Sequence, residues 1–287
     1  MRTKVAIASL AVLGLALVSV ETASAQALCF GKVPTIRGTN GDNRIRGTAG
    51  NDVIFSMGGD DIINARGGND RICAGDGDDT VNAAAGHDNI FGAAGVDVLR
   101  GGGGNDKIFT AGANSSRYEE VDGGAGDDVL KGDSNPERIV GGAGNDEISG
   151  EGGLVNRLDQ LSGGLGNDYI TGSNAVLAGG QGDDELNGDW ASFAAATGPV
   201  EVDLVAGTAT GEGTDYLNGV DNVIGSAFDD DIAGNSGAND INGGDGGDTI
   251  SGAEGDDVLV GGLGNDSIDG GLGIDSCDAE FELGCES

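Results

Sequence analysis

The sequence predicts an all-β protein, a parallel β-roll or β-helix solenoid of nine-residue repeats. Three observations support this fold class. Residues 38–109 divide into eight consecutive units of nine. Glycines are concentrated in the first half of the units, and an aspartate or asparagine stands at position six. An aliphatic residue always stands at position eight. A strict repeat of this kind decides the architecture before local propensity does.

Each unit contains the residues typical of one tight turn followed by one short strand. Glycines permit the positive φ angles of a tight turn, and the last three residues alternate as a strand does. Two units make a coil, and stacked coils place strand on strand in parallel sheets. No unit can bury its single aliphatic residue alone, so the fold requires the stack. The core residues predicted from the first block are Ile45, Ile54, Ile63, Ile72, Val81, Ile90, Leu99 and Ile108.

The period predicts how the chain is divided. A second regular block runs over 225–278, and two apparent 13-residue inserts, 110–122 and 150–162, interrupt the repeats between the blocks. The least repetitive stretch, 188–224, contains an alternating run over 200–204 that is typical of a half-buried strand. The expected divisions are a signal peptide over 1–25, an N-terminal β-roll block over 26–109, an irregular β-roll block over 110–187, a strand-rich insert over 188–224, and a C-terminal β-roll block with a cysteine-pinned end over 225–287.

The N-terminal segment is typical of a secretory signal peptide. Arg2 and Lys4 precede a mostly apolar run over 5–20, and residues 23–25 are small, as at a cleavage site. The apolar run is shorter than the roughly 20 residues of a spanning helix. This favours a secreted, extracellular protein over a membrane anchor, with no membrane span in the mature chain.

Four cysteines remain after such cleavage, and an even number in an exported protein predicts disulfides. Three pairings are open, and sequence alone does not choose among them. Proximity favours Cys29 with Cys73 and Cys277 with Cys285, which would pin each end of the fold.

The composition excludes several classes of function. A formal net charge of −35 at pH 7 argues against a nucleic-acid partner. Aromatic residues are 4% of a chain with 59 glycines, too few large side chains for an ordinary globular core. A single histidine, His87, excludes HExxH and three-histidine zinc sites, and it stands at position five as a turn residue.

The aspartates at position six are the candidate metal ligands. Stacked coils bring them together along each edge, where uncompensated carboxylates repel one another. Oxygen-only ligands suit a hard cation, which favours several Ca²⁺ ions over zinc or copper. The alternative, that they are solvated turn residues, does not explain two columns of negative charge. The predicted ligands are Asp52, Asp61, Asp70, Asp79, Asp88, Asp97, Asp106, Asp128, Asp146, Asp168, Asp184, Asp230, Asp248, Asp257, Asp266 and Asp275.

Four acidic or amide residues are not predicted to be ligands. Asn43 and Asn239 replace the aspartate, and Glu137 replaces it in a unit that Pro136 breaks. Asp133 does not stand at position six, so its loss is expected to matter little.

The units resemble the RTX family nonapeptide GGxGxDxUx, in which U is aliphatic. The resemblance covers most of the mature chain and implies a calcium-bound parallel β-roll. It also implies that each ion lies between turns one coil apart. Two columns would follow, the first lined by Asp52, Asp70, Asp88 and Asp106 and the second by Asp61, Asp79 and Asp97.

Two functions are consistent with these features. The first is a secreted, non-catalytic calcium-binding protein of an extracellular matrix or cell surface, with extracellular polysaccharide as a further candidate partner. The second is a parallel β-helix enzyme, a lyase or epimerase acting on acidic polysaccharide through acids and tyrosines such as Tyr118 and Tyr169. The irregular stretch also contains three aromatic residues, Trp190, Phe193 and Tyr216. One interpretation is that they form a carbohydrate-binding surface. The favoured one is that they form a patch that covers the core where the solenoid is interrupted.

Overall fold

The computed structural model describes residues 28–112, 117–151 and 157–285. The predicted signal peptide lies outside the described residues. The described chain is all-β, without a helix, and forms a parallel β-solenoid of about 13 turns. This confirms the predicted fold class. None of the described residues belongs to a helix long and apolar enough to cross a membrane.

The strands form two sheets on opposite sides of the solenoid, here named sheet I and sheet II. Sheet I contains, in order of pairing, β1 (Ile36–Arg37), β3 (Val53–Phe55), β5 (Arg71–Asp76), β7 (Asn89–Ala94), β9 (Lys107–Phe109), β11 (Val129–Lys131), β13 (Glu147–Gly150), the first parts of β15 (Tyr169–Gln181) and β16 (Glu185–Ser192), β19 (Thr214–Asn218), β18 (Thr208–Thr210), β17 (Glu201–Asp203), β21 (Asp231–Ala233), β23 (Thr249–Ser251), β25 (Ser267–Asp269) and β27 (Phe281–Leu283).

Sheet II alternates with sheet I along the chain. It contains β2 (Arg44–Arg46), β4 (Ile62–Asn64), β6 (Thr80–Ala85), β8 (Val98–Gly103), β10 (Glu119–Ala125), β12 (Glu137–Ala143), β14 (Asp159–Leu165), the last parts of β15 and β16, β20 (Asn222–Ile224), β22 (Asp240–Asp245), β24 (Val258–Leu263) and β26 (Ser276–Asp278).

The core is a thin double row of aliphatic side chains between the two sheets. In sheet I, Ile72 lies opposite Ile54 on one side and Ile90 on the other. Sheet II has the same register, with Val81 opposite Ile63 and Leu99. The predicted core positions of both regular blocks are at most 1% exposed, apart from Ile45 at 9% and the disulfide-bonded Cys277. The prediction of the core is therefore confirmed.

The described parts of the two 13-residue inserts, residues 110–112, 117–122, 150–151 and 157–162, contribute strands to the solenoid, although the period is interrupted there as predicted. β10 begins within the first and β14 within the second, and both strands pair in register with their neighbours. Val121 and Leu161 are buried at the core position. The affected coils have 22 residues instead of 18. The extra residues shift the spacing by a few positions without breaking the strand pairing.

The stretch over 188–224 inserts an antiparallel meander into sheet I. β17, β18 and β19 pair with one another in opposite directions, and β16 and β21 flank them in parallel. The run over 200–204 alternates between buried and exposed, as predicted. Phe193, Val202, Leu204 and Leu217 all join the core. The meander therefore continues the core where the repeat is lost.

Two disulfides close the ends of the described chain. Cys29 pairs with Cys73, and Cys277 pairs with Cys285, with Cα–Cα distances of 5.7 and 5.8 Å. These are the pairs that proximity favoured. The first ties the segment before β1 to β5, and the second closes the last coil.

Candidate metal centres

The position-six aspartates form two columns, one along the edge of each sheet. Each column is joined by hydrogen bonds between successive coils. The backbone N–H of one aspartate donates to Oδ1 of the aspartate one coil further on, as from Asp52 to Asp70 (2.7 Å) and from Asp70 to Asp88 (2.7 Å). Asp61 and Asp79 are joined in the same way in the second column, at 2.8 Å. The predicted division into two edges is confirmed.

The second carboxylate oxygen, Oδ2, has no protein partner in most of these residues. The side chains are almost completely buried; Asp70, for example, is 0% exposed and Asp168 is 3% exposed. A buried charged oxygen without a protein partner is unfavourable, so each one requires a cation or a proton to compensate its charge. Among the described residues, Oδ2 is buried without a hydrogen-bond partner in Asp61, Asp70, Asp79, Asp88, Asp97, Asp106, Asp128, Asp146, Asp168, Asp184, Asp248, Asp257, Asp266 and Asp275.

Glycine at position one brings a second oxygen next to Oδ2. A Cβ placed on Gly101 would lie 2.3 Å from Oδ2 of Asp106 and 2.6 Å from the carbonyl oxygen of Gly123 in the next coil. The same two kinds of oxygen converge beside Gly141 and Gly243. A side chain would fill this space, whereas glycine leaves a carboxylate and a carbonyl facing it.

Burial raises the pKa of these carboxyl groups when no cation is bound. The pKa of Asp79 is raised to about 7, chiefly by burial. The hydrogen bond from Asp61 lowers this pKa, and the charges of Asp97 and Asp61 raise it. Asp106 and Asp168 likewise reach a pKa of about 7. A bound cation would replace the proton and compensate the charge.

The donor set fits calcium. It consists of carboxylate and backbone carbonyl oxygens, which a hard cation with 6 to 8 flexible oxygen ligands prefers. The described residues place no histidine or free thiol in either column, which argues against a softer metal. Bound calcium would supply positive charge between successive coils, and the aspartates and turn carbonyls would hold it.

Two predicted ligands differ from the rest because their Oδ2 atoms already have partners. In Asp52, Oδ2 accepts hydrogen bonds from the backbone N–H of Thr48 (2.6 Å) and from its hydroxyl (3.0 Å). In Asp230, the N–H of Ser226 donates to Oδ2 (2.5 Å). Asn43 Oδ1 likewise accepts the N–H of Thr39 (2.7 Å), and its Nδ2 donates to the Thr39 hydroxyl (3.0 Å), so a hydroxyl residue at position two satisfies the turn internally.

Three acidic residues occupy position six although the repeat did not reveal them. Asp215 accepts the N–H of Asp184 across a gap of 31 residues, and burial raises its pKa to about 7. Glu119 and Asp159 are the first residues of β10 and β14, the strands that begin within the predicted interruptions. In the sequence, such residues can be recognised as an acid two positions before a buried aliphatic residue. The run Asp215-Tyr216-Leu217 keeps this spacing.

Other candidates have structural roles. His87 is a turn residue, as predicted: its N–H donates to Asn69 and its Nδ1 accepts from the N–H of Asn105. The aromatic residues do not form one surface, because Phe193 is buried while Trp190 and Tyr216 lie on opposite sheets. Of these three residues, Phe193 joins the core, whereas Trp190 is partly buried and Tyr216 is exposed, so the core patch describes Phe193 alone.

Comparison with known families agrees with the repeat. No curated protein matches the chain. The RTX calcium-binding nonapeptide repeat matches residues 37–72, 74–108, 119–135, 132–153, 157–175, 171–191, 215–250 and 242–277. These segments cover well over half of the chain and coincide with the coils of the solenoid. The chain therefore belongs to the RTX calcium-binding nonapeptide repeat family.

Proposed function

We propose that the protein is a secreted, non-catalytic calcium-binding β-roll, a component of an extracellular matrix or cell surface whose turns hold several Ca²⁺ ions. The observation that carries this proposal is the double column of buried Oδ2 atoms without protein partners. A second oxygen, the glycine carbonyl of the next coil, faces the same space at several turns. The aspartates in these columns are the proposed ligands.

Calcium binding would be coupled to folding. Each coil buries little apolar surface, and each adds buried carboxylates whose charges repel one another. No site exists until two coils are stacked, because its oxygens come from successive turns. The free energy of ion binding therefore contributes directly to folding. Neighbouring coils should bind cooperatively, as expected for a solenoid stabilised by nearest-neighbour contacts.

The disulfides support an extracellular location. The two disulfides suit an oxidising compartment. Extracellular calcium-binding modules typically have dissociation constants of about 10⁻⁴ to 10⁻³ M, which match calcium levels outside the cell. The strongly negative surface would also repel anionic macromolecules and attract divalent cations.

A calcium titration tests the proposal. The mature protein, with disulfides intact, is freed of calcium with a chelator and titrated while its circular dichroism is followed. We expect a cooperative gain of β-structure at about 10⁻⁴ to 10⁻³ M calcium. Magnesium at the same ionic strength is the control, and it should be much less effective because it requires a compact octahedral site. An identical spectrum in chelator and in saturating calcium would refute the proposal.

No observation among the described residues favours the alternative enzyme. The Tyr118 hydroxyl donates to the Leu158 carbonyl oxygen (3.2 Å), and its ring lies under the Arg157 guanidinium group. Tyr169 is partly exposed beside acidic turns, which would repel an acidic polysaccharide. Release of unsaturated sugar from such a polysaccharide would revive this hypothesis.

A further inference from the structure

The outward face of sheet I is divided into two halves of opposite charge. Its side chains flank the buried core residue of each strand, as Lys107 and Phe109 flank Ile108. From β1 to β11 these flanking positions carry four cations and no acid, although the whole chain has a formal net charge of −35. This half, here named the basic half, consists of Thr35, Arg37, Val53, Phe55, Arg71, Cys73, Asn89, Phe91, Lys107, Phe109, Val129 and Lys131.

The other half of the face, from β13 to β27, carries acids and no cation. Residues 158–287 contain no lysine or arginine at all. Aromatic side chains lie among the acids, since Tyr216 is 59% exposed and Phe281 is 67% exposed. A contact with this half would therefore also remove apolar surface from water. This half, here named the acidic half, contains the exposed acids Glu147, Glu185, Glu201, Asp203, Asp231 and Asp269.

The two halves are hardly compensated within the chain. On this face, the described residues form one salt bridge, between Lys131 and Glu147 at the boundary of the halves (3.8 Å). Lys107 and Glu201 are both exposed and have no salt-bridge partner in the described ranges. Most of the charge on the face is therefore available for a contact between molecules.

A twofold axis parallel to the strands would place the basic half of one copy against the acidic half of a second copy. Such an axis reverses the order of the strands and keeps their direction. β9 is the fifth strand from one end of sheet I, and β17 is the fifth from the other. With full overlap these two strands face each other, and their first residues, Lys107 and Glu201, form a pair of opposite charge.

The same overlap accommodates the one projection on the face. The short hairpin that Cys29 ties to Cys73 lies on β5, the third strand from its end. It would meet β23, the third strand from the other end, whose outward residues Thr249 and Ser251 are small. The projection therefore falls where the opposing face has the most room.

The size of the face is sufficient for a stable contact. Neighbouring strands lie about 4.8 Å apart, and three residues of a strand span about 10 Å. The 16 strands of sheet I therefore present about 700 Å² of outward face. A standard protein interface buries about 800 Å² of each partner.

We propose that the outward faces of sheet I form the interface of an antiparallel homodimer, in which the basic half of each copy contacts the acidic half of the other. Charges on an exposed sheet ordinarily keep like surfaces apart. Here a parallel arrangement would oppose like halves, whereas the antiparallel one opposes unlike halves twice. A twofold contact of this kind is closed, so association stops at two copies. The inference goes beyond the proposed function and requires only the folded solenoid.

Sedimentation velocity of the mature, disulfide-bonded protein in calcium tests the dimer. We expect a monomer–dimer equilibrium that depends on protein concentration and weakens with added salt, because salt screens exposed charges. Small-angle X-ray scattering should show a dimer about as long as the monomer and about twice as thick. Circular dichroism in the same buffer verifies that each variant is folded.

A charge exchange tests the predicted pair. The twofold axis repeats every contact, so Lys107→Glu or Glu201→Lys alone should raise the dissociation constant by about tenfold. The double variant Lys107→Glu with Glu201→Lys restores opposite charges and should recover most of the affinity. Arg46→Glu makes the same change of charge on the outward face of sheet II and should have little effect.

Several results would overturn the dimer. They are a folded wild type that stays monomeric at every concentration, growth beyond two copies, and a dimer of doubled length. Stronger association of Lys107→Glu would mean that calcium bridges acidic surfaces, and equal effects of Lys107→Glu and Arg46→Glu would mean that net charge alone acts. If the protein folded without calcium, the proposed function would fail, and association of the folded protein would still be measured.

Discussion

Replacing Asp70 by asparagine should change stability in opposite directions with and without calcium. Oδ1 of Asp70 accepts the N–H of Asp52, and Oδ2 is buried without a partner. Asparagine keeps the Oδ1 acceptor, so the contact between coils is preserved. It removes the negative charge, which opposes folding without calcium and binds the ion when calcium is present. The calcium-free variant should therefore be more stable than wild type, and the calcium-bound variant less stable.

The structure gives the size of both effects. Burial raises the pKa of Asp70 from 3.8 to about 6, and the charges of Asp88 and Asp52 contribute. At pH 7 the ionised group therefore costs the calcium-free fold about 3 kcal/mol, at 1.36 kcal/mol per unit. An amide N–H₂ left there without an acceptor would cost about 1 to 2 kcal/mol. The net gain is then about 1 to 2 kcal/mol. With calcium, a tenfold loss at each of two adjoining sites costs about 2.8 kcal/mol.

Circular dichroism in chelator at pH 7 measures the first effect, as a gain of residual β-structure in the variant. Urea unfolding in 10 mM calcium, about ten times the expected dissociation constant, measures the second. Asp60→Asn is the matched control, since Asp60 is an exposed acid whose Oδ1 also accepts an N–H one coil away. Asp275→Asn changes the last aspartate of its column and should cost about half as much as Asp70→Asn in calcium. If all three variants change stability equally and with one sign, the aspartates act through net charge alone, and the site-by-site reasoning fails.

Three further predictions concern pH, backbone strain and the core. The calcium-free fold should lose stability as pH rises from about 4 to about 7, because folding raises the pKa of Asp79 from 3.8 to about 7. Circular dichroism in chelator over this range should show a loss of residual β-structure. Ala93→Gly should stabilise the calcium-bound protein by about 0.5 to 1 kcal/mol in urea, since Ala93 has a φ of +75°. Ile90→Ala should cost about 2 to 5 kcal/mol in the same assay, while the exposed Val205→Ala should be nearly neutral.

Much of the fold follows directly from the nine-residue period. The period gives the alternation of the two sheets, the inward direction of the aliphatic residues and the two aspartate columns. These features depend on spacing alone, because each coil repeats the contacts of the coil before it. The cysteine pairs are those that proximity favoured, although the sequence alone left three pairings open.

The rest could not be predicted because strand pairing, not residue counting, sets the register of a solenoid. Four extra residues hide Glu119 from a search at fixed spacing, yet β10 pairs as if they were absent. Asp215 is separated from Asp184 by a meander whose own strands pair antiparallel. Asp133 is not at position six, so the repeat gave no reason to expect that one of its carboxylate oxygens lies within 4.8 Å of those of Glu119 and Glu137.

The two oxygens of each column aspartate connect folding with calcium binding. Oδ1 bonds to the backbone of the preceding coil, and Oδ2 faces the proposed ion. Ordering the coil therefore fixes the ion ligand, and neutralising the ligand lowers the cost of ordering the coil. Asp52 and Asp230 show the same turn satisfied by a threonine or serine instead. Both lie at or near the start of a regular block. A turn whose hydrogen bonds are complete without an ion gives the stack an ordered end there, to which calcium-dependent coils can be added.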